Sequence, residues 1–214
     1  MIRIIAAGLA ALSLSACALG ASNVTLGKSQ AYLVKPALLS EAPSRSIAIT
    51  EVMDAREEST RDRIGDKRNG YGMVMGTIVT TEPVTDTVKK VIAETFTANK
   101  HTVVADPAAA NLKVEAKVTK FWFDYKTGLI DVEFFADVQT RLSVKDASNT
   151  EIFAKDFKGY ASEKTMGGLE DLWARVVDAA LADLSREISL SMDLKSALSK
   201  SQTAATASGE QPAS

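Results

Sequence analysis

Few side chains in this chain of 214 residues are suited to covalent chemistry. Cys17 is the only cysteine and His101 the only histidine. A His-rich metal centre is therefore excluded, and His101 reads as a residue in a helix-to-strand loop. Neither G-x-S-x-G nor S-x-x-K occurs, so the sequence marks no hydrolase nucleophile. Gly70, Gly72 and Gly76 are spaced G-x-G-x-x-x-G ahead of a strand, whereas a dinucleotide site needs its glycines between strand and helix. Carboxylates remain. Asp131, Glu133 and Asp137 recur at the outward positions of one strand, where Lys113, Glu115, Lys117 and Arg141 share the same face. Charge pairing across a wet sheet accounts for such a pattern. A carboxylate-dependent cell-wall hydrolase would need two such groups about 5–10 Å apart across a cleft. Aromatic residues offer a different chemistry. In Phe121-Trp122-Phe123-Asp124-Tyr125 the alternation predicts Trp122 inward, and Phe121, Phe123 and Tyr125 outward beside Phe135. An exposed aromatic patch among charges is a candidate interaction surface. The same alternation would turn Lys120 inward, and a bulge there would change these assignments. The alternative to an interaction surface is that the N-terminal segment or another strand covers the patch.

The thiol has an assignment of its own. Met1-Ile2-Arg3 opens the chain with one positive charge, and Ile4 to Leu14 is an apolar run broken by Gly8 and Ser13. This is the form of a secretory signal, and the run is shorter than the roughly 20 residues a membrane-spanning helix needs. It ends Leu14-Ser15-Ala16-Cys17, which resembles the lipobox of bacterial lipoproteins. There the cysteine sulfur carries a diacylglycerol thioether and becomes the mature N-terminus. The resemblance implies lipidation at Cys17, a periplasm-facing membrane anchor and a domain without disulfides. Ala18 in place of aspartate points to the outer membrane. Removal of residues 1–16 takes away Arg3, leaving 24 basic against 27 acidic side chains, a formal charge of −3. That balance argues against nucleic acid as a partner and against electrostatic docking on anionic lipid.

The elements that must position these residues follow from periodicity. Residues 1–16 are the signal, 17–44 the lipidated cysteine and a tether punctuated by Pro36 and Pro43, and 45–199 one domain. Residues 200–214 lack large apolar side chains and are expected to be disordered. A short extended piece at Ala31 to Val34 is expected to lie on the domain. Ser46 to Met53 predicts a first strand, a charged loop follows, and Met73 to Thr80 predicts a second. Val84, Val88, Val91, Ile92 and Phe96 share one face of a helix over about Glu82 to Ala98, with Thr81 as its N-cap. His101 to Ala105 predicts a short strand. Three strands then form an antiparallel meander: Leu112 onward, Ile130 to Val144 in strict alternation, and Ile152 to Tyr160. Gly168 to about Leu194 predicts one long amphipathic helix. The expected fold is α+β, an antiparallel sheet with a long three-strand meander and two amphipathic helices on one face.

The whole pattern resembles the YajG family of bacterial lipoproteins. The matching features are the Leu14-to-Cys17 lipobox, a first strand ending Asp54-x-Arg56 and the charged loop after it. Val103-Val104 before the meander and Asp178-x-x-Leu181-x-x-Leu184 in the last helix also match. The resemblance covers about Met1 to Leu198 and implies no catalytic residues and no cofactor. The leading expectation is a non-enzymatic binding or assembly module of the cell envelope, held on the membrane through Cys17 and contacting an envelope protein. An accessory role in envelope lipid handling, with an apolar groove between sheet and helices, is the alternative.

Overall fold

The computed structural model describes residues 20–28, 34–61, 63–69, 71–166 and 170–207. Leu14, Ser15, Ala16, Cys17 and most of the Ala31–Val34 piece therefore lie outside the described residues. Eight strands form one sheet: β1 (Ser22–Val24), β2 (Ser46–Asp54), β3 (Gly65–Arg68), β4 (Val74–Thr80), β5 (Thr102–Val103), β6 (Leu112–Thr127), β7 (Val132–Lys145) and β8 (Glu151–Thr165). Among the described residues three α-helices accompany them: α1 (Val84–Ala98), α2 (Glu170–Ser189) and α3 (Met192–Ala207). The fold is α+β, as the periodicity predicts.

β6, β7 and β8 make the antiparallel meander, paired along nearly their full lengths. Alternation is the reason. Phe134, Ala136, Val138, Thr140, Leu142 and Val144 are buried on one face of β7. The intervening side chains face solvent or neighbouring charges. Apolar stripes of α1 (Val88, Val91, Ile92, Phe96) and α2 (Val176, Val177, Ala180, Leu181, Leu184, Ile188) cover the buried face and form one core with it. At Gly159 a Cβ would overlap the Ala180 carbonyl oxygen and reach within 2.6 Å of the Leu184 nitrogen, so α2 crosses β8 where no side chain intervenes.

The far edge of β6 is shared. β2 pairs parallel with its first half, from Ile47 beside Leu112 to Asp54 beside Val118. β3 meets its second half at Gly65 beside Phe123. β4 and β1 continue the sheet beyond β3, and β5 lies outside β2. The sheet is thus mixed, with parallel pairings added to the expected antiparallel meander. Where β6 changes partner, its register to β7 slips between Val118 and Lys120. Arg56 fills this corner at 4% exposure. It forks onto Asp54 through Nε (2.9 Å) and Nη2 (2.8 Å). It also donates to the carbonyls of Arg61 (2.8 Å), Arg63 (2.9 Å) and Phe121 (3.3 Å). The guanidinium satisfies two carbonyls of the loop before β3 and one of β6 just after the slip. Asp54-x-Arg56 is thus a structural clamp on the charged loop. The Arg56 hydrogen bond holds the Asp54 carboxyl below its ordinary range, against the opposing effect of burial.

Several expectations are corrected. Residues 20–28 and 34–44 are no free tether: β1 pairs with β4, Val24 and Leu39 are buried, Gly27 donates its N–H to Asp178 (2.7 Å), and Ala37 donates to Asn99 (2.8 Å). β3 lies inside the stretch expected to be a charged loop. The predicted last helix is two, because Leu190 and Ser191 break it and Ser191 Oγ caps α3 by accepting the Leu194 N–H (3.2 Å). α3 continues to Ala207, into the segment expected to be disordered. α1 starts after Pro83 rather than from a Thr81 cap. Ile130 precedes β7 and is exposed, because the strand begins only at Val132. His101 does lie between α1 and β5, but it is buried against Phe96 (5.8 Å between ring centroids).

Candidate interaction surfaces

The largest correction falls on the aromatic patch. Phe121 and Phe123 are each 1% exposed and belong to the core. Thr119 is the extra residue in the slip between β6 and β7, so both Thr119 and Lys120 face outward and every later side chain of β6 changes face. Trp122 turns to the outer side, where the Arg63 guanidinium lies 5.7 Å from its ring centroid. Tyr125 follows Phe123 inward. It is half-buried, tilts against Phe134 at 5.5 Å, and donates its hydroxyl to the Arg68 carbonyl (2.6 Å). Of the four residues assigned to one outward patch, only Phe135 stays on the outer face. It stacks with Tyr160 of β8 at 6.3 Å, and Lys126 sits 5.1 Å above its ring.

This outer face is otherwise a lattice of opposite charges. Asp137 accepts from Lys120 (2.9 Å) and Gln139 (3.0 Å) and lies 3.4 Å from Lys158. Lys145 binds Glu115 (2.6 Å) and Arg141 binds Asp156 (3.2 Å). Burial pushes the Asp137 carboxyl up, but the Lys120 and Gln139 hydrogen bonds and the two lysine charges outweigh it and leave it below the ordinary range. A glycosidase acid needs the opposite shift. Glu133 lies between Lys126 and Lys164 in the register of the meander. Among the described residues, no three His, Cys, Asp or Glu side chains are grouped to hold a metal ion.

The inward aromatics build a second feature. Phe123, Tyr125, Phe134 and Trp173 of α2, with Met75 and Ile78 of β4, line a groove of about 430 Å³ at the edge of the helix–sheet interface. Phe123 stacks on Phe134 at 5.8 Å and meets Trp173 at 6.0 Å. The Trp173 Nε1–H is buried and has no acceptor among the described residues. Lys67, Arg68 and Asp66 of β3 border the groove. The sequence pattern places Phe134 and Trp173 inward but gives no sign of β3. The local signal for the groove is the aromatic clustering itself, whose parity the slip at Thr119 reverses.

Among the described residues, no helix is long and apolar enough to cross a membrane. Neither a protein-family model nor a curated protein matches the sequence. Solved structures resemble this chain in fold. A Xanthomonas campestris protein of the DUF330 family is 13% identical, with a TM-score of 0.58, covering 86% of this chain and 99% of that chain. A minor lipoprotein from Acinetobacter baumannii is 10% identical at a TM-score of 0.41, covering 72% of this chain and 95% of that chain. The likeness to the Xanthomonas protein is one of fold: this chain has the α+β architecture of a DUF330 protein.

Proposed function

We propose that this protein is a bacterial lipoprotein similar to the YajG family, anchored through Cys17 to the periplasmic face of the outer membrane. There it serves as a non-enzymatic binding module of the cell envelope. The observation that carries the reading is Leu14-Ser15-Ala16-Cys17 after a short apolar run, in a chain with no other cysteine. Only four residues separate Cys17 from Ser22, where β1 begins, so the proposed anchor would lie close to the sheet. An envelope protein is the expected partner, and the surface offered to it is the outer face around Phe135 and Tyr160, ringed by Lys126 and Lys158.

A second reading, accessory lipid handling, draws on the aromatic groove. Its walls are apolar, and the Trp173 Nε1–H is a spare donor suited to a carbonyl or phosphate oxygen. One experiment addresses both. The protein is extracted from membranes in mild detergent and weighed by mass spectrometry. Under denaturing conditions the mature chain is expected to start at Cys17 and carry the mass of at least a diacylglyceryl group. An intact signal with a free thiol would overturn the lipoprotein reading. Under native conditions, additional phospholipid mass that survives detergent exchange would favour the lipid-handling role.

A further inference from the structure

Large apolar side chains are distributed unevenly over the surface. Four among the described residues are more than four-fifths exposed: Tyr71 (91%), Leu129 (fully), Ile130 (81%) and Met166 (88%). All four lie at one end of the sheet, and sheet register shows why. Leu129 and Ile130 form the turn between β6 and β7, closed by the Gly128 N–H to the Asp131 carbonyl (2.8 Å). Met166 follows Thr165, which pairs with Val132 at the same end of β7. Tyr71 sits in the β3–β4 turn. β3 runs parallel to β6 from Gly65 beside Phe123, and the Arg68 carbonyl is held by Tyr125, two residues before the end of β6. The β3–β4 turn therefore projects past the same end, and it adds the exposed Met73 and Val74. The opposite end of the meander, the Asp146–Thr150 turn, is polar, and the exposed apolar residues outside the Tyr71 end include Met192 (67%) and Leu190 (46%) where α2 meets α3.

The chain also enters the fold at the apolar end. β1 is parallel to β4, with Ser22 beside Ile78 and Val24 beside Thr80. β4 runs away from the turn that holds Tyr71 and Met73, so β1 does too, and Gly20 and Ala21 before it lie on the side of that turn. Gly20 lies against Gly76, two residues from Val74, and a Cβ on Gly76 would overlap the Gly20 carbonyl. Three residues span at most about 11 Å, so Cys17 sits within that distance of Gly20.

We infer that the end bearing Tyr71, Met73, Leu129, Ile130 and Met166 is a membrane-docking surface whose occupant is the lipid bilayer holding the anchor. The inference rests on lipidation at Cys17. Side chains exposed beside so short a leash are pressed against the bilayer by the anchor, and apolar side chains gain from entering the zone between headgroups and acyl chains. Isolated from the anchor, a patch of this size would hold weakly. Next to it, the cost of bringing protein and membrane together has already been met. The mature charge of −3 gives no general attraction to anionic lipid, so the contact is apolar in kind.

The chemistry of Cys17 supplies the test. In the lipidated protein its sulfur is a thioether, so a cysteine introduced elsewhere is the only free thiol. Met73→Cys, Ile130→Cys and Met166→Cys, with Ser148→Cys in the opposite turn as the control, are labelled with an environment-sensitive fluorophore. Each lipidated protein is reconstituted into phosphatidylcholine vesicles, with and without phosphatidylglycerol. The three apolar-end labels are expected to shift to the blue and to be quenched by spin-labelled acyl chains. The label at position 148 should remain aqueous and open to iodide. The apolar-end labels should respond alike in both lipid mixtures. Labels at 73, 130 and 166 that stay aqueous on a chain whose mass includes the acyl groups would overturn the docking surface while leaving the anchor intact. A chain without acyl mass would remove the anchor and the docking surface together.

Discussion

Arg56 shows how much one side chain can hold. It is almost wholly buried, forked onto Asp54, and accounts for three backbone carbonyls at the point where β6 exchanges β2 for β3. Removing it leaves a half-buried carboxylate and takes a donor from the carbonyls of Arg61, Arg63 and Phe121. Arg56→Ala is expected to destabilise the domain by about 3–5 kcal/mol. Arg56→Lys should recover only part of this, since an ammonium cannot reproduce the fork. Denaturant melts followed by circular dichroism would measure both. His101 is the other residue whose chemistry is set by packing. Burial holds its imidazole below the ordinary value of 6.5. The Leu39 carbonyl favours the protonated ring without reversing this, and the Arg45 charge adds to it. Neither ring nitrogen has a hydrogen-bond partner in normal geometry. Because the folded state takes up this proton less readily than the unfolded chain, stability is fully present above pH 6.5. It is lost as pH falls from there toward the folded-state value. His101→Phe is expected to flatten the stability profile below about pH 6.5, as read by thermal melts on the acid side of that value.

At the scale of elements, strict alternation made the meander legible, and apolar residues at helical spacing did the same for both core-facing helices. Leu112 to Val118 and Phe134 to Val144 bury the residues their pattern assigns. What alternation could not carry was a change of phase. The one local sign was the polar pair Thr119-Lys120, which has no inward position to fill. Deleting Thr119 restores unbroken alternation and would send Phe121 and Phe123 out of the core while turning Trp122 inward. The expected result is a loss of cooperative unfolding, measured by calorimetry, whereas Thr119→Ser should melt like the parent protein. The candidate surface suffered the same phase error. Three of its four residues moved inward and became walls of the groove or fillers of the core. β3 was hidden for a different reason. Gly65-Asp66-Lys67-Arg68 contains no apolar side chain, and its burial is compensated by Asp66 with Arg63 (2.6 Å) and Arg68 (3.4 Å), pairings that only the tertiary fold brings about.

Across the whole molecule, the proposed address rests on seventeen residues of sequence, whereas the arrangement of surfaces is not legible there. Tyr71, Leu129, Ile130 and Met166 fall in turn segments, where isolated apolar residues carry no periodic signal. Only the register of β1, β4, β6 and β7 gathers them at one end. The docking prediction belongs to this scale, because no single loop contains the surface and its position depends on where β1 enters the sheet. Much of the segment expected to be a flexible spacer is part of the domain, pinned by Asp178 through Gly27 and by Asn99 through Ala37.

That pinning limits how far the protein can reach. With only Ala18 and Leu19 between Cys17 and Gly20, an anchored domain cannot sample the periplasm as a tethered bait. On the proposed anchor it would stand on its attachment point. The 14 residues of β7 rise about 46 Å, and they lead away from the apolar end. The Asp146–Thr150 turn becomes the summit of a short post, with the Phe135–Tyr160 pair nearer its foot. A partner met at the summit can be soluble or held in an opposing layer. A partner recognised through Phe135 must itself lie close to the same membrane.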